Sequence, residues 1–109
     1  MLTPSSVPSR RYPRVQLPKG MLIAWQGGGE RTISRVATMG LGGLFISTPE
    51  PPMRGEIIKL FFELPDGEVR ARAVVRDSRT GEGMGVEFTA MGHEARARLR
   101  SLLKRLLRY

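Results

Sequence analysis

The side chains best suited to chemistry in this sequence are the arginines of a short cluster, Arg10-Arg11-Tyr12-Pro13-Arg14. A guanidinium group is planar and always charged, and it can donate paired hydrogen bonds to a phosphate or to the edge of a guanine base. Pro13 has a fixed φ and disfavours a helix at the preceding residue, so we expect the arginines to project from an extended segment. The cluster therefore predicts an anion-binding site. The alternative is a solvated basic arm that binds no ligand.

A second candidate segment is the glycine-rich run Thr38-Met39-Gly40-Leu41-Gly42-Gly43, which precedes the apolar residues Leu44 to Ile46. Glycine permits positive φ, and it lets another backbone or a flat ligand come close. A tight turn between two strands would account for the same residues.

Few other residues indicate catalysis or metal binding. The chain has no cysteine, which excludes disulfides, thiolate metal sites and cysteine nucleophiles. The single histidine, His93, lies beside Glu94 with no nucleophile near it in sequence. Carboxylates occur on predicted strands and turns without the spacing of a metal site: they are Glu56, Glu63, Asp66 and Glu68. We therefore expect a protein that is not an enzyme and holds no metal or cofactor.

The positive charge is concentrated at the two ends of the chain. The 109 residues include 18 Lys and Arg against 10 Asp and Glu, for a formal charge of +8. Residues 1–35 and 91–109 each carry six basic groups and one acid, whereas residues 36–90 carry six basic groups and eight acids. A protein that coats itself with nucleic acid would be basic throughout, so binding of nucleic acid is not favoured. Trp25, Tyr12 and Phe62 are the aromatic groups available for base stacking, but Trp25 is predicted to lie in the core.

The elements that must position these residues are mostly short strands. Segments rich in Val, Ile, Leu and Phe are separated by turn-forming Gly and Pro, a pattern typical of antiparallel β structure. Asp66-Gly67 predicts the clearest hairpin. The pattern indicates an all-β domain, a small six-stranded antiparallel barrel, with strands at Met21 to Gln26, Arg31 to Thr38, Gly43 to Ser47, Glu56 to Glu63, Glu68 to Asp77 and Gly83 to Thr89.

A C-terminal α-helix is predicted from Gly92 to Arg108. Leucines recur there at spacings of three and four, and basic residues form a neighbouring stripe. A domain this small needs those leucines for its own core, so we expect the helix to cover the barrel. A helix that binds a membrane surface or a partner is the alternative.

Residues 1–9 contain two prolines and three serines and predict a flexible arm, so residues 10–109 form the single expected domain. The sequence shows no export signal and no apolar run long enough to span a membrane, which favours a cytoplasmic location.

Taken together, the order and spacing of these segments resemble the PilZ domain family, bacterial modules that bind the second messenger cyclic di-GMP. The family motif RxxxR is matched by Arg10 and Arg14, with Arg11 as an additional arginine. The run Gly42-Gly43-Leu44-Phe45-Ile46 is similar to the family's GGLFI, and Gly83 to Phe88 is similar to its GxGVxF strand. The resemblance covers about residues 10–108 and implies a barrel followed by a helix.

The chain departs from the second family motif, (D/N)xSxxG, at two of its three positions. Thr38 replaces the acid or amide and Gly40 replaces the serine, whereas Gly43 is retained. In the family these side chains bind a guanine, and the two arginines hold phosphate and the other guanine faces. The resemblance thus assigns Arg10, Arg11, Arg14, Thr38, Gly40 and Gly43 to the ligand site.

Two functions follow from the resemblance. The first is a receptor in which the arginine arm orders over cyclic di-GMP and signals to a partner. The second is a degenerate PilZ-type module that contacts a protein of pilus assembly, motility or polysaccharide export without a nucleotide.

Overall fold

The computed structural model describes residues 15–16, 21–64 and 67–106. Within them the chain forms strands that alternate between buried and exposed side chains, followed by one helix. The elements are β1 (Val15–Gln16), β2 (Leu22–Gln26), β3 (Thr32–Met39), β4 (Gly43–Ser47), β5 (Ile57–Leu64), β6 (Gly67–Arg79), β7 (Gly83–Met91) and α1 (His93–Leu106).

Six of these strands close into an antiparallel barrel. Their order around the barrel is β3, β2, β5, β6, β7 and β4, and pairing of β4 with β3 closes the ring. Closure leaves these strands without an unpaired edge, which is how small β domains avoid edge-to-edge association. The prediction of a six-stranded barrel with a C-terminal helix is confirmed, and each predicted strand overlaps an observed one.

The hairpin predicted at Asp66-Gly67 is confirmed by the register of its strands. Leu64 at the end of β5 pairs with Gly67 at the start of β6, so only two residues connect them. Gly67 has a φ of 139°, a conformation that side chains other than glycine rarely adopt.

Apolar side chains from every barrel strand fill the interior. Among the fully buried ones are Ile23, Leu44, Leu60, Val75 and Met84. Trp25 also lies in this core, as predicted, and its indole Nε1 donates a hydrogen bond of 3.0 Å to the hydroxyl of Ser34. That bond satisfies the one polar group that the indole brings into the core.

The helix covers the barrel, as predicted, through side chains four residues apart. Ala95, Leu99 and Leu103 are buried, and the helix packs on β6 and β5. Leu102 packs partly against the same core. The observed helix ends at Leu106, and the predicted extension to Arg108 lies outside the described residues. None of the helices in the described part of the chain is long and apolar enough to cross a membrane.

Candidate functional site

The candidate site begins at an irregularity in β3. Arg35 and Val36 pair with Ser47 and Ile46, but the next pair along β4 is Thr38 with Phe45, so Ala37 is an extra residue. Such a β-bulge reverses the direction of the side chains that follow it. Met39 is consequently fully buried, and Thr38 lies half-buried on the outer face of the barrel. The bulge therefore presents the first residue of the degenerate motif outward.

A short turn follows from Gly40 to Gly43 and connects β3 to β4. The amide of Gly40 donates a hydrogen bond of 2.9 Å to the carbonyl of Gly43, and the amide of Phe88 donates one of 2.9 Å to the carbonyl of Gly42. The left-handed glycines of the described chain lie at other turns, at residues 28, 55, 67, 81 and 83. The glycines at residues 40, 42 and 43 therefore do not use the positive φ that the glycine-rich sequence would permit.

Gly43 is required by the packing of two strands. It pairs with Glu87 of β7, and a β-carbon at this position would overlap the carbonyl oxygen of Val86. The glycine run was expected to let either another backbone or a flat ligand come close. At Gly43 the close neighbour is another backbone. The retained glycine of the motif serves barrel closure.

The strand β1 connects the arginine cluster to this region. Val15 pairs with Met39, and Gln16 pairs with Thr38. Arg10, Arg11 and Arg14 lie outside the described residues, but Arg14 directly precedes Val15 in the sequence. The chain that leaves the arginine cluster thus joins the sheet beside Thr38.

Three further side chains lie near Thr38 on the outer face. Phe45 is directly opposite Thr38, and Gly85 of β7 is opposite Phe45. The Arg79 guanidinium carbon lies 5.9 Å from the centre of the Phe45 ring, and Arg79 forms an ion pair of 2.8 Å with Asp77. This group offers an aromatic face, a guanidinium and a carboxylate, all of which suit a flat base with hydrogen-bonding edges. No motif in the sequence marks Arg79 or Asp77 as site residues, and Phe45 is marked only by the GGLFI run.

Other candidate residues lie away from this site. Trp25 and Phe62 are buried in the core and present no face for stacking, while Tyr12 lies outside the described residues. His93 is exposed at the start of α1, beside an open groove of about 560 Å³ that Glu68, Arg70 and Arg98 also line. No group of three His, Asp or Glu side chains in the described ranges is arranged to hold a metal ion.

Comparison with known proteins gives a consistent result. The family model of the PilZ domain matches residues 8–105. The PilZ domain of YcgR from Escherichia coli, solved with cyclic di-GMP, superposes with a TM-score of 0.71 at 16% identity, covering 93% of each chain. The Bacillus subtilis inhibitor of motility MotI/DgrA gives 0.72 at 20% identity, over 93% of this chain and 53% of that one.

The K. pneumonia MrkH complex with cyclic di-GMP gives a TM-score of 0.72 at 18% identity, over 93% of this chain and 52% of MrkH. This chain thus spans about half the length of MotI/DgrA and of MrkH. No curated protein sequence matches it.

Proposed function

The chain belongs to the PilZ domain family, and on that basis we propose that it is a receptor domain for cyclic di-GMP. In this proposal the arm and the arginine segment that follows it, with Arg10, Arg11 and Arg14, change conformation when the ligand binds, and a partner protein recognises the change. The proposed setting is the bacterial cytoplasm, with residues 1–9 as a flexible arm and residues 10–109 as the domain. No catalytic role or cofactor is assigned.

The observation that carries the proposal is the pairing of β1 with the end of β3. It attaches Val15 and Gln16, which directly follow the RxxxR motif in the sequence, to the sheet next to Thr38. An extended chain advances at most about 3.6 Å per residue, so the five residue steps from Arg10 to Val15 can span at most roughly 18 Å. This length of chain allows both arginines of the motif to contact a nucleotide placed over Thr38 and Phe45, as the proposal requires.

The charge and shape of the arginines suit this ligand. Cyclic di-GMP carries two phosphates and two guanines, and a guanidinium can pair with a phosphate or with the guanine edge in a bidentate way. In the proposal Arg10 and Arg14 hold these groups, and Arg11 adds a third cation.

The side of the proposed site formed by Thr38 and Gly40 offers fewer hydrogen-bonding groups than the family motif. Thr38 supplies one hydroxyl in place of a carboxylate, and Gly40 supplies no side chain. Each lost hydrogen bond to a charged group reduces binding by about 1.5 to 3 kcal/mol. The two replacements together correspond to roughly two to four powers of ten in affinity, so we expect weak binding.

Calorimetric titration with cyclic di-GMP at low salt tests the proposal. Arg10→Ala combined with Arg14→Ala should weaken binding about 100-fold or more, because two charge-assisted contacts are lost. The matched control is Arg54→Ala combined with Arg100→Ala, which removes the same charge from an exposed turn and an exposed helix position. The proposal fails if no heat appears at millimolar ligand, or if both double variants bind like the original protein.

The second candidate function is a degenerate module that binds a protein of pilus assembly, motility or polysaccharide export without a nucleotide. The replacement of the motif's acid and serine by Thr38 and Gly40 favours it. A partner captured equally with and without cyclic di-GMP would support this function. A partner captured only with the nucleotide would support the receptor.

A further inference from the structure

A second surface of the barrel carries apolar side chains that face solvent. On the outer side of β2 and β3, Leu22 is 55% exposed and Ile33 is 68% exposed. Ala24 lies directly opposite Ile33 on one side and opposite Phe61 of β5 on the other. Leu22, Ala24, Ile33 and Phe61 therefore form a continuous patch across three strands, here called the outer patch.

Cations surround the outer patch. The Arg31 guanidinium carbon lies 4.2 Å from the centre of the Phe61 ring, and Arg35 is directly opposite Leu22. Lys59 and Arg72 are directly opposite each other on β5 and β6, beside the same patch. All four basic side chains project outward from the barrel.

The pair Lys59 and Arg72 is electrostatically unfavourable within this chain. Like charges placed directly opposite in an antiparallel pair destabilise a sheet. Other arginines on the barrel form ion pairs with acidic side chains: Arg70 pairs with Glu68, and Arg76 pairs with Glu87. Within the described residues, Arg35, Lys59 and Arg72 form no ion pair. Among the described residues this repulsion is therefore uncompensated, and it lies next to an exposed apolar patch.

We infer that the outer patch is a docking surface for an acidic, amphipathic segment of a protein partner. Apolar side chains of that segment would cover Leu22 and Ile33, and its carboxylates would neutralise Arg35, Lys59 and Arg72. The same charges disfavour a symmetric pairing of two copies through this surface, because it would bring the same cations together. The inference goes beyond the proposed nucleotide site, because none of the residues assigned to that site lies in the outer patch.

Other anionic partners fit this surface less well. The phosphates of a nucleic acid would satisfy the cations but would leave Leu22 and Ile33 without an apolar contact. A flat anionic membrane would also meet Glu63, which is exposed on β5 two residues beyond Phe61. A protein segment can match both the apolar centre and the mixed charges around it.

The test uses the full chain labelled for NMR and three separate probes. They are a synthetic helical peptide with leucines on one face and glutamates on the others, vesicles of anionic phosphatidylglycerol, and duplex DNA. We expect the peptide to shift the amide signals of Leu22, Ile33 and Phe61. Lys59→Glu combined with Arg72→Glu should weaken peptide binding at least about tenfold, because two attractions become repulsions.

Matched variants separate the outer patch from overall charge. Arg100→Glu combined with Lys104→Glu makes the same change in net charge on exposed helix positions and should leave peptide binding within about twofold. Ile33→Ser should weaken binding about tenfold, whereas Met53→Ser, at another exposed apolar residue, should not.

The inference is wrong if the peptide does not bind, if both charge variants weaken it equally, or if vesicles or DNA shift these signals and the peptide does not. Cyclic di-GMP titration of Lys59→Glu combined with Arg72→Glu reports on the nucleotide site separately. Its affinity should equal that of Arg100→Glu combined with Lys104→Glu, which has the same net charge, so failure of one proposal is distinguishable from failure of the other.

Discussion

Thr38→Asp introduces the acid of the family motif at a position that faces outward from the barrel. Thr38 lies on the outer face because of the bulge at Ala37, and it is half-buried opposite Phe45. A carboxylate there remains in contact with water in the free protein, so it has a small desolvation cost. Arg79, whose guanidinium lies over Phe45, already forms an ion pair of 2.8 Å with Asp77.

The expected gain follows from hydrogen bonds to a guanine edge. A carboxylate can accept bonds from two N–H donors, whereas the threonine hydroxyl is a single neutral group. One additional charge-assisted bond contributes about 1.5 to 3 kcal/mol, which corresponds to about 10- to 150-fold tighter binding of cyclic di-GMP. Without contact to the guanine, the new charge would repel the dianion and weaken binding, so the sign of the change is informative.

Calorimetric titration at fixed low salt measures the change, with thermal unfolding as a check that the variant folds. Thr80→Asp is the matched control, because it makes the same replacement at an exposed turn residue between β6 and β7. Thr38→Val, which removes only the hydroxyl, should bind no better than the original protein. Unchanged or weaker binding by Thr38→Asp would refute the placement of the guanine over Thr38.

Two further predictions concern the stability of the barrel. Gly43→Ala should reduce the free energy of unfolding by about 1 to 3 kcal/mol, because its β-carbon overlaps the carbonyl oxygen of Val86; a denaturant titration that shows no loss would contradict the packing role of Gly43. Ser34→Ala should cost about 1 to 3 kcal/mol by leaving the buried Trp25 Nε1 without its acceptor. If the hydrogen bond stabilises the core, Trp25→Phe combined with Ser34→Ala should lower the free energy of unfolding by clearly less than the sum of the two single changes. Strict additivity in thermal unfolding would argue against the bond.

The barrel strands could be predicted from the sequence because their side chains alternate with a core. Val69, Ala71, Ala73 and Val75 are apolar residues at every second position of β6, and all four are buried. The strand β1 could not be predicted, since Val15 and Gln16 are too few residues to show alternation and lie close to Pro13 and Pro18. Its pairing depends on the exposed end of β3, which exists only after the barrel has formed.

Only the motif residues of the candidate site could be predicted from the sequence. Thr38, Gly40 and Gly43 were identified by spacing, but the bulge at Ala37 was not, because Val36 to Met39 also fits a regular strand. The burial of Met39 distinguishes the bulged strand from a regular one, and Met39 is buried only once the barrel has closed. Asp77 and Arg79 are far from Thr38 in sequence, and only the pairing of β4 and β6 with β7 brings them near it.

The bulge in β3 also explains how one strand supports two different surfaces. Ile33 and Arg35 point outward before the bulge and belong to the region around the outer patch, next to β2. A regular continuation would turn Thr38 inward and remove Met39 from the core. The extra residue keeps Met39 buried and places Thr38 outward between β1 and β4. Because Ile33 pairs with β2 whereas Thr38 pairs with β1 and β4, a change at Ile33 can be expected to leave the surface around Thr38 intact.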